Sequence, residues 1–219
     1  AAERMPNTKV IGAEPAGAAS MIAALKAGHP VTLENIDRFA DGTAVRRAGN
    51  ITYDVIADLG LDIRPVAEGA VATEMLDMYQ VDGIIAEPSG ALASAGIGGP
   101  DSDKPITIEP GSTVVCLVSG GNNDISRYPE ILERSLVHEG LKHYFIVDFP
   151  QEPGALRRFL NEVLGPEDDI AMFEYVKRSD RETGPAFVGI QLGYAEDLPN
   201  LLERMEASNI EVERVHQNS

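Results

Sequence analysis

Hydrophobic positions along this chain follow one pattern up to about Gly140 and another beyond it. In the first stretch, short apolar runs alternate with segments of helical spacing. Thr8–Ala13 predicts a strand and Gly17–Ala27 a helix stopped by Gly28. Asn50 stands where it would cap a helix carrying Ile51, Val55, Ile56 and Leu59 on one face, with Gly60 just past its end. Asp62–Val66 follows as a short strand, then a helix over about Ala70–Tyr79. The apolar Gly83–Ala86 and a small-residue helix near Ser89–Ala95 come next. Thr113–Val118, a run rich in β-branched residues, reads as a central strand. Strands and helices in alternation predict an α/β unit built on a parallel sheet. Arg127–Glu139 closes it as a helix with Pro129 in its first turn and Gly140 at its end, which sets the expected boundaries at 1–140 and 141–219.

Beyond Gly140 the alternation tightens. Phe145, Val147 and Phe149 mark a strand, and Leu156, Phe159, Leu160, Val163 and Leu164 follow at helical spacing as core residues. Ile170–Lys177 is a second strand, and Ser179–Gly184 a polar turn. Val188, Ile190, Leu192 and Tyr194 alternate along a third strand. Leu198, Leu201, Leu202 and Met205 mark a helix, and Glu211–Val215 a last strand. The order βαββαβ is that of an α+β ferredoxin-like sandwich.

Charge and composition narrow the partners. Thirty-five acidic against eighteen basic residues in 219 give a formal charge of −17, which repels phosphate backbones and argues against nucleic acid. No apolar run approaches the roughly 20 residues of a membrane span, and no basic-then-apolar leader opens the sequence, so a cytoplasmic protein is expected. The single Cys116 falls inside the expected Thr113–Val118 strand and reads as a small core residue. The histidines, His29, His138, His143 and His216, have no metal-ligand spacing, so no structural metal is expected. Gly96, Gly98 and Gly99 precede Pro100 rather than a helix, and Gly96–Ser112 reads as a surface loop.

Two places carry candidate chemistry. Thr113–Val118 runs into Ser119-Gly120-Gly121, so a hydroxyl and two glycines stand at the carboxyl edge of the expected strand, where open α/β sheets place ligands and where backbone can approach one closely. In the second unit, Gln151-Glu152-Pro153-Gly154-Ala155-Leu156 joins a strand to a helix N-terminus, whose free N–H groups suit a carboxylate. A plain turn is the alternative there.

Four stretches together resemble one family: Phe39-Ala40-Asp41-Gly42-Thr43-Ala44-Val45, Ala86-Glu87-Pro88-Ser89-Gly90-Ala91-Leu92, Leu117-Val118-Ser119-Gly120-Gly121-Asn122, and the βαββαβ tail. In order and over nearly the whole chain they are similar to the threonine dehydratases of the biosynthetic type. That resemblance implies part of a fold type II, tryptophan synthase β-like catalytic domain that uses pyridoxal 5'-phosphate, followed by an ACT-like regulatory domain. It implies that Ser119 hydrogen-bonds the cofactor's pyridine nitrogen beside Gly120, that Gly42 packs backbone against the ring, and that Glu87 serves catalysis on the substrate side. A neutral hydroxyl at the ring nitrogen moderates the electron sink, which suits an elimination. Taken without the resemblance, Gly42 is also readable as a turn glycine and Glu87 as an acid favoured by a helix N-terminus.

The implied reaction converts L-threonine to 2-oxobutanoate and ammonia in isoleucine biosynthesis, in a homo-oligomer. The implied regulator is isoleucine, with valine as candidate antagonist, at Gly154, Leu156, Phe173 and Tyr175; packing alone is the other reading of the two aromatics. After Tyr175 the family tends to carry an arginine, where this chain has Val176 and Lys177. The related serine racemases hold a metal with a residue set that Glu14 and Ala18 match, but Ser20 replaces its aspartate, so no metal is expected. The family's cofactor lysine lies in a Ser-x-Lys-x-Arg-like stretch, and Lys9, Lys26, Lys104, Lys142 and Lys177 all lack that context; a glycine-rich phosphate loop is also missing. Ala1 is therefore expected to fall within the catalytic domain, leaving apolar surface exposed, and the chain by itself to be inactive or to work with a separate N-terminal segment. An isolated amino-acid-binding regulatory fragment and another lyase or racemase of the same fold are the alternatives.

Overall fold

Strand β1 (Ile11–Pro15) lies parallel to β2 (Asp62–Val66) in a two-stranded sheet, with Ile11 opposite Asp62 and Pro15 opposite Val66. The computed structural model describes residues 4–97, 106, 108–175, 183–208 and 210–215. By contacts the chain divides into two compact units, Ala1–Ser135 and Leu136–Asn218.

In the first unit, β1 leads through a short 3-10 turn into α1 (Ser20–Ala27), which Gly28 ends in the left-handed conformation at φ 77°. The strand starts later than its apolar pattern suggested. The ladder is bounded by its partner, with Ile11 opposite Asp62 at one end, and at the other end the Glu14 carboxylate accepts the backbone N–H groups of Met21 and Ile22 at 2.7 and 2.9 Å, so the acid near the end of the strand caps the next helix. Helix α2 (Asn50–Leu59) begins with Gly49, not Asn50, at its cap; the Asn50 side chain instead accepts a bond from Arg47 at 2.9 Å. Its expected core face is uncovered, with Ile51 80% exposed and Val55 and Leu59 about half exposed. Helix α3 (Glu68–Asp77) runs into a π turn, and α4 (Pro88–Ala95) starts with proline in its first turn. Val66, Val71, Met75, Leu92 and Ile131 form the buried core of this unit, together with Phe39.

The expected strand Thr113–Val118 joins no ladder among the described residues, and neither does Gly83–Ala86. Val115 and Leu117 are 80% and 77% exposed. The apolar run is real, but a strand is defined by a neighbour that takes up its N–H and C=O groups, and no described residue does so here. Cys116 is accordingly half-buried, its thiol turned to the Ala93 carbonyl at 3.6 Å. Partial burial first, and the Glu74 carboxylate second, push that thiol upward from its ordinary range, away from a reactive thiolate.

Helix α5 (Tyr128–His138) crosses the division between the units. The second unit then follows the expected order: β3 (Lys142–Pro150), α6 (Ala155–Glu162), β4 (Asp169–Tyr175), β5 (Thr183–Gln191), α7 (Leu198–Ala207) and β6 (Glu211–Val215). The polar turn expected at Ser179–Gly184 falls mostly outside the described residues. All pairings in the sheet are antiparallel, in the order β4-β5-β3-β6, which is the ferredoxin-like arrangement. Phe145, Val147 and Phe149 point from central β3 into a core with Phe159, Val188 and Leu201. His143 is buried, with Nε2 facing the Gly140 carbonyl at 2.9 Å and Nδ1 facing the Arg214 guanidinium at 3.1 Å; burial, then that cation, hold its pKa below the ordinary histidine value.

Candidate functional site

Three separate segments of the first unit converge on the start of α4. Glu87 is the cap residue of that helix, in an extended conformation at φ −80° and ψ 163°, and its backbone N–H donates to the Gly120 carbonyl at 3.0 Å. This bond joins the 86–92 stretch to the Ser119-Gly120-Gly121 turn. Both glycines there are needed for the approach. A Cβ on Gly90 would overlap the Gly120 carbonyl, a Cβ on Gly120 would overlap the Glu87 carboxylate, and one on Gly121 would stand 2.7 Å from the Ile85 carbonyl.

The 39–45 stretch arrives from the other direction. Phe39 and Ala40 are buried and root it in the core, while Asp41 and Gly42 are exposed above them. Asp41 accepts the Gly42 N–H at 3.0 Å, and the Thr43 hydroxyl donates to the Ala40 carbonyl at 3.1 Å, which closes the turn. Gly42 lies directly against α4: a Cβ there would stand 2.8 Å from Ser89 Oγ and 3.6 Å from Glu87 Oε1. Thr43 and Ser89 hydroxyls are 3.5 Å apart. Gly42, Glu87 and Gly120 are thus brought together, with Ser119 next to Gly120. Ser119 is exposed, and its hydroxyl makes no hydrogen bond among the described residues.

Residues 1–120 match the family described as pyridoxal-phosphate dependent enzyme. The chain belongs to that family. Residues 133–219 match a second family, the C-terminal regulatory domain of threonine dehydratase. Among curated proteins, the chain is 64% identical to the L-threonine dehydratase biosynthetic IlvA of Mycobacterium bovis, over all of this chain and 50% of that protein. It is 56% identical to the protein of the same name from Corynebacterium glutamicum, over 98% of this chain and 48% of that one. The chain therefore spans about half the length of the curated relatives it matches. Among solved structures, the processed form of threonine deaminase isoform 2 from Solanum lycopersicum superposes with a TM-score of 0.53 and 35% identity, covering 62% of this chain and 37% of that one.

For a pyridoxal-phosphate enzyme the residues at this turn cluster fit the cofactor. Glycines without side chains meet at this cluster, where backbone can approach a planar ring closely, and a free neutral hydroxyl and a carboxylate stand beside them. Sequence reasoning missed Ser89 and Asn123. Ser89 lay within a stretch already singled out, between Glu87 and Gly90, and Asn123 stands one residue past another, and nothing in their spacing told them from turn residues. Ser89 packs under Gly42, and the Asn123 side-chain amide is buried with no protein partner for its N or its O among the described residues. The alternative metal set is otherwise engaged, since both Glu14 oxygens cap α1 and the Ser20 hydroxyl lies 3.4 Å from one of them. No group of three or more metal-ligating side chains occurs among the described residues.

The second unit holds a cavity of about 400 Å³ over the β3–α6 turn, lined in part by Phe149, Gly154, Leu156, Leu160 and Tyr175. Gly154 caps α6 at φ 91°, a conformation that a side chain would strain. Glu152 and Arg158 are ion-paired beside it. Leu156 and Leu160, expected in the core, are 40% and 38% exposed and form the cavity wall. Phe173 does not line the cavity; it packs on the core and stands 6.1 Å from Phe149 and 6.3 Å from Tyr175, ring to ring. No helix among the described residues is long and apolar enough to cross a membrane.

Proposed function

We propose that this chain is the part of a biosynthetic threonine dehydratase that carries the ring-facing side of the active site and the regulatory domain. The complete enzyme, a cytoplasmic homo-oligomer, converts L-threonine to 2-oxobutanoate and ammonia in isoleucine biosynthesis. The observation that carries this reading is the convergence of Gly42, Glu87 and Gly120 at the start of α4, within the stretch that matches pyridoxal-phosphate enzymes. When bound, pyridoxal phosphate supplies the electron sink for elimination of the β-hydroxyl. Ser119 holds the ring nitrogen with a neutral hydrogen bond. Gly42 presents bare backbone to the ring, with Ser89 behind it. Glu87 keeps a carboxylate on the substrate side, where it can hold a proton or accept one.

None of Lys9, Lys26 and Lys142 lies in these converging segments, and Lys104 and Lys177 fall outside the described residues. The chain alone is therefore expected to release no ammonia from L-threonine above the uncatalysed rate, and turnover by the purified chain would overturn that expectation. Val115 and Leu117 then belong to a surface that further protein covers in the complete enzyme.

The effector reading rests on the β3–α6 cavity. Backbone N–H groups at the start of α6 suit the carboxylate of an amino acid, and Phe149, Leu156 and Leu160 suit the branched side chain of isoleucine, or of valine as its antagonist. Calorimetric titration of the chain with L-isoleucine, without cofactor, tests it: binding should be saturable and should be lost in Leu156→Asp. Such binding by a chain without turnover is also what the second reading, an isolated regulatory fragment, requires. Adding back the remaining length of the protein separates the two, because only a dehydratase part restores ammonia release.

A further inference from the structure

The second unit has another cavity, at the open edge of its sheet. Strand β6 is an edge strand in the order β4-β5-β3-β6, and its register sets Arg214 opposite Phe145 and Val212 opposite Val147 on β3. Residues directly opposite in an antiparallel pair share a face. Arg214 and Val212 therefore stand on the side of the sheet where Phe145 and Val147 form the core with Leu201 and Met205 of α7. A cavity of about 310 Å³ lies there, between α7 and β6, lined in part by Phe145, Met205, Ile210 and Val212. Glu206 and Arg214 also line it, and it shares no lining residue with the β3–α6 cavity.

Arg214 is held in a way that leaves its charge unanswered. The buried His143, 7% exposed, has Nε2 2.9 Å from the Gly140 carbonyl, which can only accept, so that nitrogen carries the proton. Nδ1 is left with a lone pair and accepts an N–H of the Arg214 guanidinium at 3.1 Å. The imidazole thus fixes the direction of the guanidinium without neutralising it. Arg214 makes no ion pair among the described residues, and neither does Glu206, although both line the same cavity. A guanidinium presents a planar fork of N–H donors that matches a carboxylate, and here most of that fork has no acceptor among the described residues.

We propose that the α7–β6 cavity binds a small aliphatic monocarboxylate, with Arg214 taking the carboxylate and Phe145, Met205, Ile210 and Val212 taking the apolar body. His143 is the positioning residue that aims Arg214. The ligand class follows from the wall. Four apolar side chains offer no hydrogen bonds to a polar body, and burying an aliphatic one against them is favourable. One cation answers one negative charge, and Glu206 on the same wall opposes a second, which disfavours a phosphate or a dicarboxylate. Two sources share this chemistry: an aliphatic α-amino acid, whose ammonium group Glu206 can pair, and the corresponding 2-oxo acid, which leaves Glu206 idle. The inference stands apart from the readings of the β3–α6 cavity and of the cofactor site.

The test uses the full chain, isotope-labelled at its methionine methyl groups, with 3-methylbutanoate as probe. The readout is the nuclear magnetic resonance signal of Met205, assigned by its loss in Met205→Leu. That signal should shift saturably with the acid and not with 3-methylbutanamide, which has the same shape without the charge. Acetate should bind about tenfold or more weakly, because it leaves the apolar walls unfilled. Arg214→Gln should raise the dissociation constant about tenfold or more, through loss of a charge-assisted hydrogen bond. Leu156→Asp, in the other cavity, should leave it unchanged. L-Leucine and 4-methyl-2-oxopentanoate separate the two sources: Glu206→Gln should weaken an amino acid about twofold to fivefold and leave the 2-oxo acid bound as before. A Met205 signal that none of these acids shifts, equal binding of acid and amide, or loss of binding in Leu156→Asp overturns the proposal. Should Arg214→Gln fail to fold, the comparison of acid with amide on the unaltered chain decides.

Discussion

The two units treat the same kind of residue in opposite ways. In the second, Phe145, Val147 and Phe149 alternate along β3 and all three are buried. In the first, Val114, Val115, Leu117 and Val118 form an equally apolar run and all four are exposed, as is the stripe of Ile51, Val55 and Leu59 on α2. The difference is one of sheet type. An antiparallel sheet can leave one face to solvent, so β3 to β6, with α6 and α7, complete one another. A parallel sheet needs crossover connections and cover on both faces, and β1 and β2 alone cannot provide either for Thr113–Val118. Apolar patterning records which side chains are to be buried; it does not supply the surface that buries them.

The sharpest way to break this comparison is to truncate one side chain from each unit. Phe145→Ala should cost about 3–5 kcal/mol, because it removes a fully buried ring and leaves a cavity. Val115→Ala, at 80% exposed, should change stability by less than about 0.5 kcal/mol. Hydrogen-exchange protection of the β3 amides reads the first and of the α3 amides the second. A large loss from Val115→Ala would show that the exposed run is packed in solution.

Gly90→Ala should have an intermediate effect, about 1–3 kcal/mol of overpacking, since the added methyl group meets the Gly120 carbonyl rather than a side chain that can turn away. The α4 amides should lose protection, and unchanged exchange there would mean that the two glycine segments are not in contact.

The smallest effect should come from pH and be confined to the second unit. Burial, then Arg214, lower the folded pKa of His143 below its unfolded value of about 6.5. The folded state then binds fewer protons than the unfolded state across that window. Its stabilising contribution is present above pH about 6.5 and is lost as pH falls through the folded pKa. β3 protection should fall on acidification, and His143→Gln should flatten that part of the profile. A profile that keeps its slope in the variant would assign the effect to other groups.

Much of the fold was legible because its signals are local. Gly28 and Gly60 end their helices in left-handed geometry, and Asp62–Val66 and Glu211–Val215 are strands over the expected residues. What failed had both local and non-local causes. Thr113–Val118 lacks a ladder, Asn50 yields its capping role to Gly49 and bonds Arg47, and Glu14 caps a helix that begins six residues later. Leu156 and Leu160 carry the helical spacing of core residues and instead line a cavity, a choice that depends on which face the sheet leaves open.

For the candidate site, the sequence by itself determined the parts: a glycine after Asp41, an acid before Pro88, a serine before paired glycines, each within a recognisable stretch. Residue types and short spacings are written in the chain, and the local chemistry of turns and caps follows from them. Only the tertiary structure decided that Gly42, Ser89, Glu87, Gly90 and Gly120 lie against one another, and that the Arg127 and Arg134 guanidiniums lie against the Phe39 ring. Those partners are separated by dozens of residues, and their contact is set by how helices pack on a common core, which no local pattern encodes.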